Sequence, residues 1–118
     1  MTSVSHPGWE SDLLELLERQ RDLYAQLQAL AQNQEQIVAG PEPDLSSLTR
    51  VSNRRRNLVD QLARISQRIE PYRRHWPAVW PSLDRDARGR ILSLIAHIHR
   101  LLDAMLAQEP SRRSDRCT

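Results

Sequence analysis

The side chains that could carry chemistry in this chain are few and widely spaced. His97 and His99 lie two residues apart in a helical pattern, so their rings point about 200° apart, whereas a helical metal-binding pair needs i, i+4 spacing. The single cysteine, Cys117, stands next to the C-terminus, and we expect an inert thiol in a frayed tail. With three glycines there is no phosphate-cradling loop, and no local motif suggests a Ser, His and acid trio. The sequence therefore predicts no catalytic residue, no metal site, no cofactor and no enzyme activity.

The densest charge cluster is the run Arg54, Arg55 and Arg56, with Arg50 one turn before it. Such a run could contact phosphates, but it lacks interleaved aromatic residues, and the acidic Asp60 lies one turn away. All 17 basic residues are Arg, and 15 acidic residues reduce the net charge to +2, which is less concentrated than in most nucleic-acid binders. We expect a solvated helix face and no nucleic-acid partner. The alternative, nucleic-acid binding through these Arg residues, predicts duplex binding that weakens steeply with salt.

The elements that must position these residues are helices. Long or apolar side chains recur every three or four residues through the middle of the chain, a spacing that fits one face of a helix and not the two-residue repeat of a strand. The set is Leu48, Val51, Arg55, Leu58, Leu62, Ile65, Ile69, Tyr72, Trp76 and Val79. This pattern predicts a helix that packs along another helix.

Three helices are predicted, at about residues 11–39, 44–80 and 84–108. Gly40 and Pro41 end the first helix, Asp44 caps the second and Asp84 caps the third. The connection between the first two is too short to return the chain to a parallel start, so they form an antiparallel hairpin. The apolar repeat continues in phase past Pro71, which predicts a kink near that residue instead of a break.

The predicted fold class is all-α, an elongated antiparallel three-helix bundle or coiled-coil hairpin with a Pro-kinked second helix. One helical domain, 11–109, lies between a flexible leader, 1–10, and a disordered tail, 110–118. Counting from the turns places Trp9 opposite Tyr72 to Trp76, so these three aromatic residues are expected to cluster at one end of the hairpin. The same count leaves the hairpin tip around Gly40 uncovered by the third helix. No stretch is apolar enough for a membrane span or a signal peptide, so we expect a cytoplasmic protein.

The third predicted helix carries a broad apolar arc of roughly 180°, where one packing stripe needs about 100°. Either this helix packs against both others, or part of the arc receives an amphipathic helix from a partner. The candidate client-binding residues are Ile91, Leu94, Ile95, Ile98, Leu102 and Met105. Arg55, Trp76 and Trp80 are candidate secondary contacts, and the two tryptophans could equally close the end of the bundle. Gln20 and Gln34 fall on the apolar stripe of the first helix, where polar residues fix register and partner choice.

The chain resembles the FlgN-like family, cytoplasmic chaperones for hook-filament junction proteins in bacterial flagellar export. The resemblance covers about residues 12–108. The residues that carry it are the run Leu13-Leu14-Glu15-Leu16-Leu17-Glu18, the break at Ala39-Gly40, Arg54 to Arg56 before Leu58, and the pattern from Arg88 to Met105. It implies a chaperone that sequesters the amphipathic terminal helix of its client and hands the client to an export-gate component.

Two functions therefore stand as predictions. The first is a non-enzymatic cytoplasmic chaperone that keeps a client helix soluble and export-competent. The alternative is a structural coiled-coil adaptor that forms a homodimer through the exposed hairpin tip.

Overall fold

The computed structural model describes residues 8–42 and 44–107, and this part of the chain is all-α, as predicted. It contains α1 (Trp9–Ala39), α2 (Leu45–Arg74), α3 (Trp76–Ser82) and α4 (Arg85–Ala107). The molecule is elongated, with extents of 55 × 31 × 23 Å. Most of the predicted leader, 1–7, and the whole predicted tail lie outside the described residues. Within the described ranges, no helix is both long and apolar enough to cross a membrane.

The first helix begins at Trp9, two residues earlier than the sequence predicts. Gly8 precedes it with φ +81°, a left-handed conformation that glycine adopts without the steric cost of a Cβ. The backbone N–H of Asp12 donates to the Gly8 carbonyl at 3.1 Å, which closes the first helical turn. This glycine brings Trp9 into the helix and so into the packed part of the fold.

The two predicted acidic caps are confirmed. Asp44 accepts a hydrogen bond from the backbone N–H of Ser46 at 3.0 Å and another from the Ser47 hydroxyl at 2.7 Å. The Ser47 bond, followed by that from Ser46, lowers the pKa of the Asp44 carboxyl. Asp84 accepts from the backbone N–H of Ala87 at 2.7 Å. Both caps satisfy amide donors that the first turn of a helix leaves unpaired.

The helical path is interrupted at His75, one turn beyond the predicted kink at Pro71. α2 continues through Pro71 to Arg74, and His75 leaves the helical conformation with φ −105° and ψ 23°. Pro77 accounts for this position, because it has no N–H group to donate to the carbonyl of Arg73, four residues earlier, and so ends the hydrogen-bond pattern of α2. The His75 carbonyl accepts from the N–H groups of Ala78 and Val79, both at 2.9 Å, and thereby starts α3.

α1 is the central element of the fold. It packs along α2 on one side and along α4 on the other, whereas α2 and α4 hardly contact each other. The α1–α2 pair is antiparallel: Arg19 donates to Gln61 at 3.3 Å, and Arg54 donates to Gln26 at 2.7 Å. The long helices are therefore arranged around α1 without a close α2–α4 contact.

The core follows the apolar stripes that the sequence predicts. Of the ten positions of the middle stripe, six are buried and Arg55 is exposed. The buried residues of the whole described chain are Leu13, Leu16, Leu17, Leu23, Val51, Leu58, Leu62, Ile65, Tyr72, Val79, Leu83, Ala87, Ile91, Leu94, Ile98 and Leu101. No polar or charged side chain is buried among the described residues, so burial of apolar area supplies the stability of this core.

Trp9 was predicted to lie opposite the stretch from Tyr72 to Trp76, and the structure shows it in contact with Tyr72. Their rings stack with centroids 6.3 Å apart and an interplanar angle of 26°. At this end of the molecule, the start of α1 meets the end of α2 beside α3. Stacked aromatic pairs add about 0.5–1.5 kcal/mol beyond their buried area, so the contact ties the first turn of α1 to the core.

Adjacent residues of α4 provide a test of this packing. Ile91 is fully buried, at 0% exposure, whereas Leu92 is 57% exposed. We expect Ile91→Ala to lower the free energy of unfolding by about 2–5 kcal/mol, because it leaves a cavity, and Leu92→Ala to change it by less than about 0.5 kcal/mol. Urea denaturation followed by circular dichroism measures both, and equal losses would contradict the burial pattern.

Candidate functional site

An apolar groove lies between α2 and α4, with α1 as its floor. It has a volume of about 330 Å³ and is open to solvent along one side. Most of the surface that lines it is apolar. Its lining residues are Leu13, Leu17, Gln20, Ser66, Ile69, Glu70, Tyr72, Arg73, Trp76 and Ile95. We refer to this surface as the α2–α4 groove.

The groove arises because α1 packs against both α2 and α4. Leu13 and Leu17 lie one turn apart on α1 and form the apolar part of the floor. On one wall, Ile69 projects from α2; on the other, Ile95 projects from α4. Because α2 and α4 do not close over α1, these side chains line a cleft instead of meeting in a core. A helix laid in this cleft would contact all three long helices.

The six predicted client-binding residues divide into two groups. Ile91, Leu94 and Ile98 are at most 7% exposed and belong to the core of the chain itself, so in this conformation they offer no surface to a partner. Ile95 lines the α2–α4 groove, and Leu102 and Met105 are half-buried. Client binding stays a prediction. The residues that remain candidates for it are Ile95, Leu102 and Met105, which are accessible in this structure.

One of the three predicted secondary contacts, Trp76, lines the same surface. Trp76 lines the groove at the start of α3, and its ring lies 5.5 Å from that of Trp80. The Arg88 guanidinium lies 5.7 Å from the Trp80 ring centroid and donates to the carbonyls of Trp80 and Pro81, both at 3.0 Å. These bonds hold the start of α4 against α3. Arg55 is exposed on α2.

The sequence did not assign the floor of the groove. Gln20 was placed on the apolar stripe of the first helix, but neither it nor Leu13 nor Leu17 was identified as lining a groove. The sequence signal that could have indicated a groove is the broad apolar face of α1, because a helix with apolar residues on both flanks must contact two neighbours. Which gap between neighbours stays open depends on tertiary packing, which periodicity does not encode.

A second concavity, of about 410 Å³, is polar. Acidic residues of α1, among them Glu15, Glu18 and Asp22, line it together with Arg19 and Arg68. One of these carboxylates is paired within the fold, since Glu18 accepts a hydrogen bond from Arg90 at 2.8 Å. Among the described residues, no group of three or more His, Cys, Asp and Glu side chains is placed to hold a metal ion.

The buried phenol of Tyr72 makes the stability of the fold depend on pH. Burial raises the pKa of its phenol above the ordinary value of 10.0, and the negative charge of Asp12 adds to this effect. The unfolded chain ionises its tyrosines near pH 10, so the folded state loses stability as the pH rises past that value towards the folded pKa.

We therefore expect the free energy of unfolding to fall between about pH 9 and about pH 11, and to fall less in Tyr72→Phe, which has no phenol to ionise. Urea denaturation at a series of pH values measures the difference. Parallel pH profiles for the two proteins would show that burial of the Tyr72 phenol does not govern this loss.

Comparisons with known proteins give no indication of function, so a functional proposal has to be based on the geometry described above. No family model matches the chain, and no curated protein or solved structure matches it significantly.

Proposed function

We propose that this protein is a non-enzymatic cytoplasmic chaperone that holds an amphipathic helix of a client protein in the α2–α4 groove. By its resemblance to the FlgN-like family, the client class is a hook-filament junction protein, which the chaperone keeps soluble and passes to an export-gate component. The single observation that carries the proposal is the apolar groove itself, which lies between two helices that flank α1 and hardly touch each other.

The geometry of helix packing supports this reading. Packed helices lie about 8–10 Å apart, and an amphipathic helix that enters a groove presents apolar anchors at i, i+3, i+4 and i+7. Ile69 on α2 and Ile95 on α4, both half-buried, offer apolar surface to such anchors from the two walls of the groove. With the client helix in place, the three long helices and the client form a four-helix arrangement.

Further apolar side chains extend this surface beyond the lining residues. On α4, Leu102 and Leu106 follow Ile95 at intervals of seven and eleven residues, which keeps them on the same side of the helix. Leu102 is half-buried, and Leu106 is 52% exposed. On α2, Val59 lies seven residues before Ser66 and is 48% exposed. The apolar walls therefore run past the cavity towards the hairpin tip, over a length suited to several turns of a helix.

The proposal predicts the effect of a charge in the groove. We expect Ile95→Asp to weaken binding of a purified hook-filament junction protein by at least about tenfold, because the carboxylate would have to be desolvated under the client helix. Titration calorimetry measures the affinity, and circular dichroism verifies that the variant is folded.

Ser93→Asp is the matched control. Ser93 is exposed on the same helix, and its side chain points about 200° away from that of Ile95. We expect this variant to bind the client like the wild type. If the junction protein does not bind the wild type, or binds a folded Ile95→Asp variant as tightly, the chaperone function is wrong.

The second candidate is a coiled-coil adaptor that forms a homodimer through the hairpin tip, and one observation favours it. Val38, near the end of α1, is 57% exposed, and Leu45, at the start of α2, is 76% exposed. Ile37 and Leu48 beside them are half-buried. Together these residues make the tip an apolar end surface that α4 does not cover, and a second tip could bury it.

The adaptor function predicts an average mass, measured by light scattering, that rises with protein concentration. We expect the double variant Val38→Glu/Leu45→Glu to stay monomeric, because four carboxylates would meet in the dimer contact, whereas Leu92→Glu would dimerise like the wild type. A wild-type protein that stays monomeric up to high concentration would remove this candidate.

A further inference from the structure

Charge is distributed unevenly between the helices, although the net charge of the whole chain is only +2. α2 contains eight Arg against the two acidic residues Asp60 and Glu70. α1 contains six acidic residues against two Arg. The positive charge is therefore concentrated on one helix, which the net charge of the chain conceals. Basic residues clustered along one helix are a mark of nucleic-acid-binding surfaces.

The Arg residues of α2 point in different directions, and most of them are not neutralised within the fold. Arg54 donates to Gln26 of α1, and Arg73 lies 3.9 Å from Glu70. A further set is exposed, and among the described residues no group forms an ion pair or a hydrogen bond with its side chains. This set is Arg50, Arg56, Arg64, Arg68 and Arg74.

These five Arg residues form two rows along α2. At 3.6 residues per turn, Arg56 and Arg74 are about five turns apart and lie on one flank of the helix. Arg50 and Arg68 are also about five turns apart, and they lie on a second flank, roughly 120° around the helix from the first. Arg64 lies beside this second row, and Arg68 also borders the polar concavity. The basic surface therefore has two edges.

A row of polar side chains runs between the two Arg rows. Asn53, Asp60 and Gln67 recur every seven residues, or about two turns, and all three are exposed. They point away from α1, because Leu58 and Ile65 are buried on the opposite side of α2. The structure describes α2 throughout, and no large apolar side chain lies in this middle row. Without apolar anchors, the surface is poorly suited to a stable protein interface.

The three rows match the major groove of B-DNA. The groove is about 12 Å wide and admits one α-helix. With α2 in the groove, the two Arg rows would face the two phosphate strands, and the middle row would face the base edges. There, Asn and Gln pair with adenine, and a carboxylate accepts from cytosine. α1 packs on the opposite side of α2 and α4 hardly contacts it, so neither helix covers this surface.

Other polyanions fit the surface less well. A flat anionic membrane meets only one side of a helix, so turning one Arg row towards it turns the other row away. Single-stranded nucleic acid is held largely by stacking of bases on aromatic side chains, and the three rows contain none. An RNA duplex has a deep and narrow major groove that does not admit a helix. Duplex DNA is the partner that uses all three rows at once.

We propose that α2 binds double-stranded DNA in the major groove through these three rows. The low net charge of the chain led to the opposite expectation, and the structure adds two observations that net charge does not contain: the Arg rows are unpaired, and polar side chains lie between them. The proposal goes beyond the chaperone function and does not depend on it, because the α2–α4 groove opens on a different side of α2.

Duplex binding by the full chain tests the proposal. The probe is a fluorescein-labelled DNA duplex of about 20 base pairs, roughly two helical turns. Fluorescence anisotropy measures the affinity between about 50 and about 200 mM salt. We expect the wild type to bind, and Arg56→Gln/Arg64→Gln, which removes one Arg from each flank, to bind at least about tenfold more weakly at low salt. The slope of log affinity against log salt should become shallower by about 2.

Arg85→Gln/Arg100→Gln is the matched control. It removes the same charge from two exposed residues of α4, which α1 separates from the Arg rows of α2. We expect it to bind the DNA within about twofold of the wild type, because these charges are largely screened at that separation. An RNA duplex of the same sequence should bind the wild type more weakly than the DNA duplex. Circular dichroism verifies that both variants are folded.

Four outcomes overturn the inference. A wild type that does not bind the duplex at low salt, or equal losses in the two double variants, would show that the rows are not a binding site. Equal affinity for the DNA and RNA duplexes would exclude binding in the major groove. Phosphatidylserine vesicles that bind more tightly than the duplex, and that Arg56→Gln/Arg64→Gln releases, would assign the surface to a membrane. None of these results affects the chaperone function, which is tested with Ile95→Asp and the junction protein.

Discussion

The fold depends on the need of α1 to bury apolar side chains on two flanks at once. Leu16 packs on the α2 side, near Ile65, while Leu13 and Leu17 border the cleft towards α4, and all four are buried. One neighbouring helix covers about a third of the circumference of another, so α1 requires two partners. The partners are held apart by the helix between them, and the cleft that results is a direct product of this core.

Polar contacts between the helices play a smaller part. The bonds of Arg19 with Gln61, of Arg54 with Gln26 and of Arg90 with Glu18 join exposed side chains at the edges of the packing. Exposed pairs of this kind contribute between zero and about 1 kcal/mol each. The relative positions of the groove walls are therefore set chiefly by close packing of leucine and isoleucine, which tolerates little displacement. A rigid apolar cleft suits the binding of a preformed helix.

Much of the fold could be read from the sequence because it is governed by local rules. The 3-4 spacing correctly placed Leu58, Leu62 and Ile65 in the core, and the acidic caps and the pairing of Trp9 with Tyr72 follow from side-chain chemistry and loop length. The break at His75 was not predicted. The sequence predicted a kink near Pro71 within one helix, whereas α2 continues through Pro71 to Arg74 and a new helix begins at Trp76, just before Pro77.

The candidate site was harder to anticipate. Periodicity identifies the apolar face of a helix but not the neighbour that covers it, so Ile91, Leu94 and Ile98 looked available to a client although α1 buries them. Gln20 illustrates the opposite difficulty. Its place on the apolar stripe was visible, whereas its position at the bottom of an open cleft depends on two helices remote from it in the chain.

The short α3 has a consequence for any helix that the cleft admits. Trp76 lines the cleft at its α3 end, and its ring lies 5.5 Å from that of Trp80. If the cleft holds a client helix as proposed, we expect one terminus of that helix to lie near Trp76 and the other to extend towards the loop at Gly40. Clients of different length could then share one cleft, because only the terminus near Trp76 would have a fixed position.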